Sequence, residues 1–202
     1  MVKLLLATRN AAKVAEYRLL FTGLPLQLTT PEEEGLEVEM AEKGATMEEN
    51  AISKATTCAL ASGLVTVADD SGLEVEALGG EPGVRSARYA GPGVSNGERI
   101  AYLLRKMEGV PWPKRRARFR CVIAIASDRG TLELCSGQCR GLIAFQPKGG
   151  HGFGYDPVFY LPKLGMTMAE LPMEEKNKVS HRAKAAAKAR RILAQLFGGD
   201  GL

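Results

Sequence analysis

Two adjacent acids, Asp69 and Asp70, followed by Ser71 and Gly72, are the residues in this 202-residue sequence that most invite a chemical reading. They come directly after Leu64-Val65-Thr66-Val67-Ala68, a short apolar run of the kind that forms a buried strand. Carboxylates at the end of such a strand can bind a hard cation such as magnesium, and one of them can orient or deprotonate an attacking water. Consecutive strand residues face opposite ways, so one acid can enter a site while its neighbour supports it. The alternative is a polar turn, a common use of Asp-Ser-Gly.

Three further segments carry usable chemistry. Thr8-Arg9-Asn10-Ala11-Ala12-Lys13 joins an expected strand to an expected helix start, where backbone N–H groups and the positive helix end can hold phosphate oxygens and Lys13 can add charge. Its plain alternative is a capped helix with a solvated lysine. Gly149-Gly150-His151-Gly152-Phe153-Gly154-Tyr155-Asp156-Pro157 packs glycine around two aromatics and an acid. Glycine lets backbone approach a planar ligand, and an aromatic ring can stack on a base for about 1–3 kcal/mol. It fails as a dinucleotide fingerprint, because Pro157 and Val158-Phe159-Tyr160 follow it instead of a helix; a glycine-rich surface loop is the alternative. In Glu174-Glu175-Lys176-Asn177-Lys178-Val179-Ser180-His181-Arg182, His181 and Arg182 can donate to the O6 and N7 acceptors of a purine and a lysine can meet phosphate, or Ser180 simply caps a charged helix entry. With only His151 and His181 present, no Ser-His-Asp or Cys-His nucleophile pattern can be assigned, and no P-loop occurs.

These segments need elements to position them. Leu4-Leu5-Leu6-Ala7 reads as a buried strand, and Ala11 to Phe21 as a helix capped by Asn10, with helical spacing through Val14, Tyr17, Leu20 and Phe21. Thr46 and Glu49 form a capping-box pattern ahead of a helix that Gly63 stops, which puts Asn50 and Lys54 one turn apart on one face. Leu73, Val75 and Ala77 alternate with Glu74 and Glu76 as a half-exposed extended segment, broken by Gly79-Gly80-Glu81-Pro82-Gly83. Ser95 and Glu98 announce another helix through Ile100, Leu103, Leu104 and Met107. Phe119, Cys121, Ile123 and Ile125 alternate with their neighbours, and Asp128-Arg129-Gly130 turns the chain into 131–134 as a hairpin. A last helix runs from Arg182 to Phe197, before Gly198-Gly199. The pattern predicts an α/β or mixed α+β fold with a mixed sheet, as one domain over 1–202.

Composition narrows the class. Hydrophobic residues make up 45% of the chain and charged residues 25%, which predicts a folded globular protein. The apolar run after Met1-Val2-Lys3 breaks at Thr8, too short for a signal sequence, and no run has the ~18 apolar residues of a membrane span, so a cytoplasmic protein with no membrane partner is expected. Cys58, Cys121, Cys135 and Cys139 lack paired zinc spacing and read as reduced thiols. The net charge of +4, with basic groups at 114–118 and 184–191, suits a polyanion. A nucleotide triphosphate and a nucleic acid both qualify, but no aromatic-studded basic sheet motif is present and these charges read as solvated faces or a dimer surface.

In order, the segments resemble the inosine triphosphate pyrophosphatase family. The resemblance rests on Leu6-Ala7-Thr8-Arg9-Asn10 with Lys13, Gly44-Ala45-Thr46 with Glu49-Asn50-Ala51 and Lys54, and Ala68-Asp69-Asp70-Ser71-Gly72-Leu73. It continues through 77–83, Ser86-Ala87-Arg88-Tyr89, Gly152-Phe153-Gly154-Tyr155-Asp156-Pro157 and Glu175-Lys176 with Ser180-His181-Arg182, spanning residues 4 to 182. It implies an elongated mixed sheet flanked by helices, two lobes around a nucleotide cleft, a homodimer, and magnesium-dependent hydrolysis of ITP, dITP and XTP to monophosphate and pyrophosphate. By the same resemblance Thr8, Arg9, Asn10, Ala11, Ala12 and Lys13 hold the triphosphate, Asp70 accepts a proton from water and binds metal, and Ser71 touches substrate. Lys54 and Asp69 support phosphates and metal, while Phe153, Gly154, Tyr155, Asp156, Lys176, His181 and Arg182 enclose and read the base. Two positions depart from the family pattern: Arg9 stands where glycine is usual, and the second metal carboxylate falls to Glu42, with Glu39 behind it. Rival readings are a pyrophosphatase of similar fold for other modified nucleotides and a basic nucleic-acid-binding module.

Overall fold

Leu4, Leu5 and Leu6 are fully buried, as a central strand requires, and the strand they form, β1 (Val2–Leu6), lies between two parallel neighbours. In the computed structural model, which describes residues 2–197, those neighbours are β2 (Leu26–Thr29) and β3 (Thr66–Val75). β4 (Arg116–Ala126), β5 (Leu132–Ile143), β6 (Phe159–Leu161) and β7 (Met166–Thr167) complete a seven-stranded sheet in the order β2-β1-β3-β4-β5-β6-β7. β5, β6 and β7 pair antiparallel, so the sheet is mixed, as the sequence predicts.

The helices are α1 (Ala11–Leu20), α2 (Met47–Ser62), α3 (Asn96–Lys106), α4 (Met173–Val179) and α5 (His181–Phe197). Their starts follow the capping chemistry. Asn10 accepts from the N–H groups of Ala12 and Lys13, and Ser95 with Glu98 makes a complete capping box. Thr46 caps α2 through the Glu49 N–H, but the Glu49 carboxylate reaches back to the Ala45 N–H, one residue beyond a reciprocal box. Gly63 closes α2 at φ 69°, a left-handed conformation that glycine adopts without a Cβ clash. Gly198 and Gly199, expected to end α5, lie outside the described residues.

Two sequence expectations change. Asp69-Asp70 does not end a strand: β3 runs ten residues straight through the pair and takes in 73–75 of the segment expected to be separate and half exposed, Leu73 and Val75 being fully buried, while 76–78 forms a 3-10 turn. The polar-turn reading of Asp-Ser-Gly is thereby excluded. β5 extends well past 134 to Ile143, since Cys135, Cys139 and Ile143 give it a buried side that the short apolar stretch does not announce.

The chain divides into two compact units, one of residues 2–70, 121–137 and 182–197, the other of residues 71–120 and 138–181. Each has its own core. In the first, Leu4, Leu6, Tyr17, Phe21, Val67, Ile123 and Ile125 pack with the alanine face of α5, Ala185, Ala186 and Ala189. In the second, Leu73, Leu103, Met107, Phe119, Tyr155, Phe159 and Met168 pack together. Among the described residues no helix is long and apolar enough to cross a membrane.

Candidate active site

In the first unit β3 delivers Asp69 and Asp70 to opposite partners, as strand alternation dictates. Asp69 is 1% exposed; Lys13 of α1 meets its Oδ1 at 2.8 Å, and Arg182 of α5 meets its Oδ2 at 3.4 Å. The Cys121 thiol on β4 donates weakly to the same Oδ2 at 3.8 Å. Arg182, itself 2% exposed, also binds Glu16 of α1 at 2.6 Å. Lys13 and Glu16, three residues apart, thus share the face of α1 that meets this cluster.

Asp70 turns to α2. Asn50 donates from Nδ2 to Asp70 Oδ2 at 2.9 Å, and its own Oδ1 accepts from the Gly44 N–H at 2.8 Å. One turn along, Lys54 donates to the Asp69 carbonyl at 2.7 Å, pairs with Glu42 at 2.7 Å and stands 3.9 Å from Asp70. Gly44 is tightly fitted here, because a Cβ on it would lie 2.8 Å from Asn50 Oδ1 and 2.7 Å from Glu49 Cβ.

The environments separate the two acids. Burial opposes ionisation of Asp69, but Lys13, Arg182 and Lys54 outweigh it and hold the carboxyl well below the usual range. Burial pushes Asp70 up, with Glu42 adding to the rise; Lys54, Asn50 and Lys13 only partly offset it. Burial alone would lower Lys54, yet the carboxylates of Asp69, Asp70 and Glu42 raise it above its ordinary value. Asp69 is therefore a fixed anion, and Asp70 is an acid whose proton affinity suits it to accept a proton.

Whether these residues fit a magnesium ion can be judged from their donors. Glu16, Glu42, Asp69 and Asp70 set four carboxylates against the three cations Lys13, Lys54 and Arg182. The surplus negative charge falls on Asp70 and Glu42, two hard oxygen donors around one ammonium. One or two carboxylates, with water and substrate oxygens completing the shell, is the usual protein contribution to magnesium. Among the described residues no set of three His, Cys, Asp or Glu side chains gathers as a metal site. Glu39 is exposed, and no ion pair links it to this cluster among the described residues.

The phosphate-loop expectation is altered in detail. The N–H groups of Ala12 and Lys13 are already taken by Asn10 Oδ1, and the Asn10 N–H points to Thr8 Oγ1. Lys13 is directed at Asp69, not solvated. Thr8 and Ala12 are half-buried, Asn10 and Ala11 exposed, and exposed Arg9 donates to the Val38 carbonyl at 3.0 Å.

The second unit holds the other expected constellation, including half-buried Ser71 on β3. Asp156 accepts from the Phe153 N–H at 2.9 Å and from Lys176 Nζ at 2.6 Å, and that ammonium lies 5.0 Å from the Phe153 ring centroid. Gly152, at φ 75°, makes this closure possible, since a Cβ there would lie 2.1 Å from Asp156 Oδ2. Gly154, at φ 63°, turns the chain toward Tyr155. The buried Tyr155 hydroxyl, pushed up to about 12 by burial, donates to the Ser86 carbonyl. Ser86 Oγ in turn accepts from the Leu73 N–H and donates to Gly83 O. His181 is 4% exposed and stacks on Phe119. Of the Ser180-His181-Arg182 triplet, His181 joins this aromatic set, whereas Arg182 is committed to the carboxylates of the first unit.

Asn50, Glu16 and Cys121 were not singled out as site residues from sequence. Asn50 had a signal in its helical spacing from Lys54; Glu16 and Cys121 had none, because their partners come from distant segments. The two basic segments lie mostly on solvated faces, as expected: Lys114, Arg116, Arg118, Lys184, Lys188 and Arg191 are exposed, Arg190 is half-buried and Arg115 is buried, and several of them are tied to the fold. Arg115 donates to the carbonyls of Ile143, Met107, Val110 and Ala144, Arg118 pairs with Glu74, Lys188 donates to Ser136 O and Arg190 to Leu20 O and Thr22 O.

Comparison with known proteins matches this geometry to one group. A model of the Ham1 family covers residues 4–192. A dITP/XTP pyrophosphatase of Geobacter sulfurreducens is 48% identical over 202 residues, spanning all of both chains. One of Geobacillus kaustophilus is 45% identical over all of this chain and 98% of its own. The solved structure of a HAM1 protein from Coxiella burnetii superposes with a TM-score of 0.88 at 40% identity, covering 96% of this chain and 100% of that one.

Proposed function

The chain belongs to the Ham1 family, and we propose that it hydrolyses non-standard purine nucleoside triphosphates, ITP, dITP and XTP, to the monophosphate and pyrophosphate. The observation that carries this reading is the divided acid pair: Asp69 locked by Lys13 and Arg182, Asp70 raised and held by Asn50 beside Lys54 and Glu42. Full-length relatives that carry the name dITP/XTP pyrophosphatase support the substrate class.

Asp70 takes the proton from a water whose oxygen attacks the α-phosphorus; the bond to the bridging oxygen breaks, and pyrophosphate leaves with that oxygen. Asp70 and Glu42 are the residues that would hold magnesium, which supplies neutralisation of the triphosphate oxygens. Lys54 and Lys13 balance developing negative charge, and Asp69 fixes both lysines by its carboxylate and its carbonyl. Thr8 to Lys13 bind phosphate oxygens through their remaining polar groups, and Ser71 contacts substrate. Phe153 stacks on the base, Asp156 and Lys176 hold that ring in place, and His181 donates to O6. A donor aimed at O6 accepts the keto group of hypoxanthine or xanthine and meets adenine's amino group badly, a mismatch of about 1–3 kcal/mol. Arg182 acts through Asp69 in this structure.

Residues 1–202 act as one pyrophosphatase domain, working in the cytoplasm as a homodimer that clears deaminated purines; light scattering in solution checks the dimer. The direct test is pyrophosphate release from ITP, XTP, GTP and ATP, with magnesium and with EDTA, by the native chain and Asp70→Asn. Metal-dependent turnover of ITP and XTP that disappears in the variant is expected. Equal turnover of ATP would sink the substrate assignment. Salt-sensitive oligonucleotide binding without turnover would favour the nucleic-acid module instead.

A further inference from the structure

His181 begins α5 with its ring laid on that of Phe119, centroids 4.6 Å apart and planes 15° from parallel. Phe119, on β4, packs in turn against Phe159 of β6 with centroids 4.4 Å apart. The three side chains are 4%, 7% and 0% exposed. The terminal torsion of an imidazole is intrinsically broad, so an unsupported ring samples many orientations and its N–H groups many directions. A near-parallel aromatic face at this distance removes that freedom, because rotating the imidazole drives its edge into the Phe119 ring. Phe159 keeps Phe119 from yielding.

We propose that Phe119 is a positioning residue for base selection: the Phe159–Phe119–His181 stack fixes the plane of the imidazole and thereby the direction in which His181 donates to a keto oxygen of the base. This rests on the reading of His181 as the O6 contact. Phe119 has no role in bond breaking, so its loss weakens discrimination and binding more than turnover. A leucine at 119 fills much of the space without offering a planar face, whereas a tyrosine keeps the face.

The test couples selectivity with a ring-current signature. The chain has only two histidines, and His151 is exposed, so a His151→Gln variant assigns the His181 carbon-bound ring protons by NMR. In the native chain these protons are shifted upfield by the Phe119 face. In Phe119→Leu that shift collapses, KM for ITP rises about 10-fold and the preference for ITP over ATP falls about 10-fold, as for a loosened specifying hydrogen bond. The change in kcat stays within about 3-fold, and Phe119→Tyr restores the native values. If Phe119→Leu does not fold, Phe119→Met supplies a flexible apolar filler for the same measurements. Absence of the upfield shift in the native chain overturns the proposal. So does unchanged selectivity in the position-119 variants when His181→Ala has lost it, an outcome that leaves the base reading intact. If His181→Ala itself keeps the native selectivity, the base reading falls and the proposal with it.

Discussion

The two units solve different problems with different residues. The first gathers seven ionised side chains around β3, five of them buried and Lys13 and Glu42 half-buried, and pairs nearly all the charge, with Asn50, Cys121 and a backbone carbonyl among the further partners. The second uses one buried ion pair, Lys176 with Asp156, and otherwise depends on rings, left-handed glycines and backbone hydrogen bonds. Buried charges are expensive unless matched, so the first arrangement is brittle wherever a close ion pair, such as those of Asp69, is broken. Planar surfaces tolerate loss of polarity but respond to changes of shape. The contrast separates a cluster built from charge from one built from rings and tight turns, and in the proposed function the first meets the phosphates and the second the base.

The sharpest break should come at Asp70. Asp70→Asn removes the proton acceptor with little change in volume, so kcat for ITP should drop about 10²–10⁴-fold while thermal unfolding stays close to native. An equal loss of activity and stability would show that Asp70 is structural and erase the distinction from Asp69.

Next is Asp69→Asn, which leaves buried Arg182 and half-buried Lys13 beside a neutral amide. A stability loss of about 3–5 kcal/mol is expected in urea unfolding at neutral pH. The pH dependence has a definite sign. Because the Asp69 carboxyl titrates below its ordinary value in the folded chain, its contribution is fully present above the unfolded value of about 4 and fades as pH falls below that toward the folded value. The gap between native and variant should therefore narrow in acid. A gap that widens would contradict the assignment.

In the second unit the matching probe is Gly152→Ala. The added methyl strains a left-handed backbone and meets Asp156 Oδ2, so KM for ITP should rise about 10-fold with the magnesium requirement unaltered. A kcat effect as large as that of Asp70→Asn would argue that the two regions are not chemically separate.

A smaller effect concerns the free carboxyl. Burial raises the affinity of Asp70 for a proton, so in the metal-free chain its carboxyl should titrate above the usual carboxylate range by carbon-13 NMR, and added magnesium should draw that titration down. A metal-free carboxyl that titrates at or below about 4 would contradict the placement of Asp70. The smallest effect is in thiol chemistry: Cys121 is pushed up to about 12 by burial and by Asp69, and Cys58, Cys135 and Cys139 are buried. Ellman's reagent should therefore react slowly with native protein and quickly after unfolding.

Much of this was legible without coordinates because it is local. Asn10 and Ser95 cap helices where their side chains can reach backbone N–H groups a few residues on, Gly63 stops α2, and the 3.6-residue period puts Asn50 and Lys54 on one face. Residue chemistry marks Asp69, Asp70 and the 149–157 loop as candidates, and the order of the motifs adds the family, their roles and Lys54. Strand length was less legible, since polar Asp69, Asp70 and Ser71 in an otherwise apolar run look like an ending, and the partners that let β3 continue through the two acids come from α1, α2 and α5.

What the sequence determined by itself is thus α1, α2, α3 and α5, the strands β1, β4 and the start of β5, the order of the motifs and the kinds of chemistry available, whereas β2, β6, β7 and α4 emerge only in the structure. Tertiary structure alone decided the partners: that Arg182 turns to Asp69 and Glu16 while its neighbour His181 stacks on Phe119, and that Asn50 joins Gly44 to Asp70. The physical reason is that caps and periodicity act over three or four residues, whereas a buried charge or ring is satisfied by whatever group folding brings within a few ångströms, and chain distance does not encode that meeting.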